Sequence, residues 1–111
     1  MDELLVERVL RAAECIPPGR VASYGLIASL VGTSPRQVGA VMSRYGAAVA
    51  WWRITNREGR LPSSLLDEAR RHWLREGTPL RDDDSGCDYR AGVVSPEAFA
   101  VAVTEAIGTL R

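Results

Sequence analysis

The sequence predicts a single domain that is mainly α with a short β element, arranged like a winged helix-turn-helix. Three observations predict it. Apolar residues recur at helical spacing in five segments punctuated by proline and glycine. Two of these segments are short, adjacent and joined by Gly32-Thr33-Ser34, the few-residue glycine-containing turn of a helix-turn-helix. The aromatic and β-branched run Trp51-Trp52-Arg53-Ile54-Thr55 reads as a short strand. With 111 residues and 46% hydrophobic content, one core can bury roughly two thirds of the unfolded surface.

Leu4, Leu5, Val9, Leu10 and Ala13 alternate with Glu3, Glu7, Arg8 and Arg11, giving an amphipathic first helix that ends near Cys15. Ile16-Pro17-Pro18-Gly19 cannot continue it, because proline lacks the amide donor and clashes with the preceding turn. Ser23 caps the second helix, whose buried stripe is Ile27, Leu30 and Val31. Tyr24 stands in its first turn, either as a packing residue or as a group that presses a phosphate or wedges a base. Ser34 caps the third helix, with Pro35 at the first position, where a missing amide does no harm.

In that third helix Val38, Val41, Met42 and Tyr45 are expected to face the core. The opposite side presents Arg36, Gln37, Ala40, Ser43 and Arg44, with Gly39 at its edge. Small residues there let a helix backbone approach a duplex, while Arg36 and Gln37 can reach bases and Arg44 a phosphate. Strand alternation sends Trp51 and Arg53 to one face and Trp52 and Ile54 to the other. Asn56 to Arg60 has turn chemistry, and Leu61-Pro62-Ser63-Ser64 is a loop ending in a cap for a helix over 65–76 stopped by Gly77. Thr78 to Arg81 suits an edge strand or wing. Ser95-Pro96-Glu97 starts an additional C-terminal helix within 91–111, with Phe99, Ala102, Val103, Ala106, Ile107 and Leu110 as its stripe.

Composition narrows the function. Net charge is zero, yet residues 20–60 carry six arginines against one acid, Glu58, a local excess of +5 that the remaining chain offsets. A basic half suits phosphates while an acidic half limits indiscriminate binding. No run approaches the ~20 apolar residues of a membrane span, and Met1-Asp2-Glu3 is acidic where a signal peptide would be basic, so a cytoplasmic protein without membrane association is expected. Cys15 and Cys87 make neither a disulfide framework nor a metal quartet. Asp82 to Asp88 lacks the spacing and terminal glutamate of a calcium loop and reads as a solvated turn. His72, the lone histidine, reads as a surface helical residue. Neither metal nor cofactor is expected. A helix able to lie in a groove, followed by two indoles, points to a reader of a displaced base; a sequence-specific winged-helix transcription regulator is the alternative, and an enzyme using Cys15 or Cys87 a further one.

Between Ile16 and Arg53 the motifs resemble a known family. Ile16-Pro17-Pro18-Gly19-Arg20-Val21-Ala22-Ser23-Tyr24-Gly25-Leu26-Ile27-Ala28, then Arg36-Gln37-Val38-Gly39-Ala40-Val41-Met42, then Trp52-Arg53-Ile54 resemble the DNA-binding domain of O6-alkylguanine-DNA alkyltransferases over roughly residues 5–80. Where those enzymes carry Pro-Cys-His-Arg this chain reads Ala50-Trp51-Trp52-Arg53, so Trp51 stands at the alkyl acceptor and Trp52 at the activating histidine. An indole offers no thiolate. The chain is similar to the non-enzymatic, alkyltransferase-like branch. That resemblance implies no alkyl transfer and minor-groove docking on double-stranded DNA with alkylated guanine. It also implies nucleotide flipping and presentation of the lesion to nucleotide excision repair proteins; a base-extruding binder has no need of two-fold symmetry, so a monomer is expected. It casts Arg36 as the finger that fills the vacated stack and Tyr24 as the residue that turns the phosphate. Tyr24, Ser34, Arg36, Gln37, Ala40, Arg44 and Arg53 are thereby expected at the DNA. Tyr24, Trp51, Trp52, Leu61 and Ser63 are expected in the alkylguanine pocket, with Arg60 to Ser64 as its lid.

Overall fold

The computed structural model describes residues 2–108 and 110. Helix α1 (Glu3–Glu14) begins where Asp2 accepts the Leu4 amide at 2.9 Å. The Pro17-Pro18-Gly19 turn follows, and its glycine has a φ of 86°. Strand β1 (Ala22–Ser23) leads directly into α2 (Tyr24–Val31), because Ser23 both pairs in the sheet and caps the helix, accepting the Leu26 amide at 3.0 Å. Gly32 closes α2 in the left-handed region. Ser34 then opens α3 (Pro35–Tyr45) by accepting from the Gln37 amide at 3.2 Å. The expected helix-turn-helix is therefore present, with both caps where local side-chain chemistry puts them.

Helices α1, α2, α3 and a C-terminal helix enclose the larger apolar cluster, built on Val9, Ile16, Ile27, Val38, Val41 and Val103. Ala28 rather than Leu30 completes the buried stripe of α2. Tyr45, expected to face the core, is 41% exposed, since α3 ends at that residue and leaves its ring beyond the last packed turn. Cys15 is only partly buried and donates its thiol to the Arg11 carbonyl at 3.3 Å.

The largest departure from expectation lies at residues 51–55. Trp51–Arg53 is a 3-10 turn, and only Ile54–Thr55 forms a strand, β2. It runs parallel to β1, with Ala22 opposite Ile54 and Ser23 opposite Thr55. Strand alternation thus does not govern the indoles, whose rings meet edge-on with centroids 5.6 Å apart. A further 3-10 turn, Ser63–Leu65, precedes α4 (Leu66–Glu76), which has no side-chain cap. Along α4, Leu74 is 63% exposed, while Ala69 and Trp73 are fully buried. The expected wing is reduced to a single antiparallel bridge, Leu80 to Cys87. Gly59 makes that crossing possible: at a φ of 79°, a Cβ would lie 1.9 Å from the Cys87 carbonyl oxygen.

One turn of helix, α5 (Tyr89–Gly92), and a bridge from Val21 to Val93 bring the chain to α6 (Pro96–Gly108). Phe99 and Val103 seat this helix on α1 and α2. The additional C-terminal helix is therefore present from residue 96. Of the expected tail, Thr109 and Arg111 lie outside the described residues.

Candidate nucleic-acid interface

The outer face of α3 is shaped by what its inner face must bury. Val38 and Val41 are fully enclosed, so the residues between them in the helical wheel turn outward: Arg36, Gln37, Ala40, Ser43 and Arg44 are all exposed, as is the capping Ser34. Two guanidiniums thus flank a strip with little side-chain bulk. At Gly39, an added Cβ would meet no atom within 4 Å.

A pocket of about 420 Å³ opens beside this helix. One wall is α3 and its C-terminal extension, from Gly39, Met42 and Ser43 to Gly46 and Ala47; Tyr24, Trp51, Ile54, Leu61, Pro62, Ser64 and Leu65 complete it. Burial raises the Tyr24 phenol above its ordinary value, so its hydroxyl keeps its proton. Of the five residues expected in a pocket, Tyr24, Trp51 and Leu61 are brought together here. Ser63 is exposed and does not line it, whereas its neighbours Pro62 and Ser64 do.

Trp52 is not part of the lining and stands behind it. Its ring stacks on His72 with centroids 3.5 Å apart and planes within 5°. Trp51 meets both in edge-on contacts, at 5.6 Å to Trp52 and 6.1 Å to His72. Trp73 donates its indole N–H to the Trp52 carbonyl at 2.7 Å, fixing the turn to α4. His72, read from sequence as a surface residue, is therefore part of a buttress, and its Nε2 lies 3.8 Å from Glu68. Its place on the inner side of α4 depends on packing between distant segments, which no local pattern reveals.

Arg53, expected at the DNA, is committed elsewhere. Its Nε and Nη2 donate to Glu76 at 3.0 and 2.6 Å, and its Nη1 to the Ile16 carbonyl at 3.0 Å. With the Arg53 side chain only 16% exposed, a bidentate pair of this kind holds the site together from behind. Burial pushes the Glu76 carboxyl up, but hydrogen bonds from Arg53 and the Gly19 amide, helped by the nearby Trp52 indole, hold it below the usual range. That indole N–H is buried and makes no hydrogen bond of ordinary geometry. Sequence reasoning also missed Met42, Gly46, Ala47 and Leu65 as lining. Met42 was detectable, since it lies three residues beyond Gly39 on the same helical face.

Comparison with known proteins places this geometry. The family described as "6-O-methylguanine DNA methyltransferase, DNA binding domain" matches residues 5–78. A "DNA base-flipping protein" of Escherichia coli is 38% identical over 82 residues, covering 68% of this chain, and the protein of that description from Shigella flexneri matches equally. The chain spans 64% of the length of each of these relatives. Among solved structures, S. pombe Atl1, crystallised with damaged DNA containing O6-carboxymethylguanine, superposes with a TM-score of 0.67 at 27% identity, covering 86% of this chain and 98% of Atl1. A helix-turn-helix whose α3 runs beside an indole-walled pocket, together with a family match over two thirds of the sequence, leads to one conclusion: the chain belongs to the 6-O-methylguanine DNA methyltransferase DNA-binding domain family, as an alkyltransferase-like protein.

Proposed function

We propose that this protein binds duplex DNA carrying O6-alkylguanine, swings the modified nucleotide out of the stack and holds it against Trp51, without transferring the alkyl group. The observation that carries this reading is the pocket of about 420 Å³ beside α3, walled by Trp51 and lined by no cysteine among the described residues. Helix α3 docks in the minor groove with Ser34, Gln37, Ala40 and Arg44 against the duplex. Arg36 enters the stack in place of the departing base, and Tyr24 turns its phosphate.

The energetics are balanced enough to permit discrimination. Extruding a nucleotide costs a few kcal/mol, less when the base pairs badly. Stacking on an aromatic ring returns about 1–3 kcal/mol. An O6-alkyl group both weakens the pairing and adds apolar surface for the pocket, so damaged DNA gains on each count.

Neither thiol supports an acceptor role. Cys87 is buried, which pushes its thiol up to about 11, and Asp88 adds to the effect. Cys15 is likewise raised, chiefly by burial and then by Glu14. Both therefore stay protonated at neutral pH, the wrong state for a nucleophile. Capture without repair leaves a distorted, occupied lesion, the form in which a monomeric binder would pass it to nucleotide excision repair.

A fluorescence titration of wild type and Trp51→Ala with matched duplexes containing guanine or O6-methylguanine tests the proposal. Wild type should prefer the lesion, and Trp51→Ala should lose about 1–3 kcal/mol of that binding, roughly 5- to 150-fold. Equal affinity of the wild type for both duplexes would overturn it. Tight binding to one undamaged sequence would instead favour a transcription regulator.

A further inference from the structure

The pocket beside α3 has an uncharged lining: among the described residues, none that borders it carries a formal charge. The lining side chains that carry polar groups are Tyr24, Ser43 and Ser64 with their hydroxyls and Trp51 with its indole N–H, and the rest include apolar groups such as Met42 and Leu61. The arginines nearest to it in sequence are directed elsewhere. Arg53 is held by Glu76 and the Ile16 carbonyl, and Arg60 donates to the Ser85 hydroxyl at 3.3 Å. Arg36 and Arg44 stand on the exposed face of α3.

We infer that this pocket selects neutral O6-alkyl groups and discriminates against an anionic one such as carboxymethyl. The inference rests on the damage-binding reading given above and assigns its substrate class. A carboxylate moved out of water needs a cation or several strong donors, and without them its burial is heavily penalised. Three hydroxyls, one of which must also serve the displaced nucleotide, and one neutral indole N–H cannot replace a guanidinium fork. An uncharged alkyl chain has no such requirement and gains from leaving water. At about 420 Å³, the pocket has the size of a small-ligand site, enough for a purine with a substituent bulkier than methyl. Atl1 was crystallised with DNA bearing the carboxymethyl adduct, which makes that adduct the informative comparison for this pocket.

Competition binding at fixed salt and neutral pH tests this, with duplexes identical except for one base: guanine, O6-methylguanine, O6-benzylguanine or O6-carboxymethylguanine. Wild type should hold the methyl and benzyl adducts at least tenfold more tightly than carboxymethyl, about 1.4 kcal/mol. A second variant, Leu65→Arg, places a cation on the rim, where residue 65 is 38% exposed. Its ratio of carboxymethyl to methyl affinity should rise at least fivefold. Carboxymethyl binding as tight as methyl in the wild type overturns the inference while leaving the damage-binding reading intact. An unchanged ratio in Leu65→Arg also overturns it, by removing the missing cation as the cause. Failure to distinguish any adduct from guanine overturns the damage-binding reading and this inference with it.

Discussion

At the scale of single residues, the site relies on what is left out as much as on what is present. Gly39 sits inside α3, where glycine costs a helix roughly 0.5–1 kcal/mol relative to alanine. No atom would obstruct a Cβ there, so packing does not require the glycine. Gly39 does line the pocket, and in the proposed function an extruded base would approach the helix at this point. Gly39→Ala should therefore stabilise the free protein by about 0.5–1 kcal/mol, raising Tm by a few degrees, while weakening binding to a lesion duplex. Thermal denaturation and titration of the same preparation check both signs, and a variant that is more stable with unchanged affinity would show that the helix edge stays clear of DNA. Gly39 was legible in the sequence as a small residue on the helix edge. Trp51, which lines the pocket, was legible as a candidate pocket residue because the motif around it is local and dense.

At the scale of elements, the helices were readable and the site turn was not, for one physical reason. Caps and apolar stripes are written in residues three or four apart, as in Ser23 with Leu26 and Ser34 with Gln37. The run Trp51 to Thr55 has the composition of a strand, but its conformation is set by distant partners. Ile54 pairs with Ala22, Trp52 stacks on His72 and Arg53 bonds Ile16 and Glu76. These contacts wind residues 51–53 into a 3-10 turn, which presents Trp51 to the pocket and keeps Trp52 behind it. His72 is accordingly a positioning residue. His72→Ala should remove a stacked aromatic contact worth about 0.5–1.5 kcal/mol, let Trp51 sample other rotamers and lower lesion affinity several-fold. His72→Phe, which keeps a flat ring at that place, should restore most of it. Indole emission reports the cause separately from the affinity: a red shift in His72→Ala that His72→Phe reverses supports the buttress, and an unshifted spectrum with normal binding argues against it.

At the scale of the whole molecule, a single ion pair ties together three stretches that local sequence leaves independent. Glu76, at the end of α4, accepts from Arg53 in the site turn and from the Gly19 amide at 3.3 Å in the proline turn after α1. Burial alone would raise this carboxyl, but the bonds from Arg53 and Gly19 outweigh it, leaving the folded-state value below the ordinary 4.5. The sign of the linkage follows: the pair contributes fully above the unfolded-state value and is lost as pH falls through the depressed folded one. Stability should be flat near neutrality and decline below about pH 4.5. Asp83, lowered by its bonds from Ser85, acts in the same direction, so some acid dependence will persist without Glu76. Glu76→Gln should cost about 2 kcal/mol at pH 7, less than the loss from a fully buried pair because both side chains keep some contact with water. Its deficit against wild type should shrink as the pH falls, since protonation removes the same charge from the native protein. Urea unfolding of both proteins between pH 3 and 7 decides the matter. Parallel curves with a constant gap would mean that Glu76 acts through packing alone, and the coupling of the site turn to α4 would then have to be carried by Trp73 and the Trp52 carbonyl.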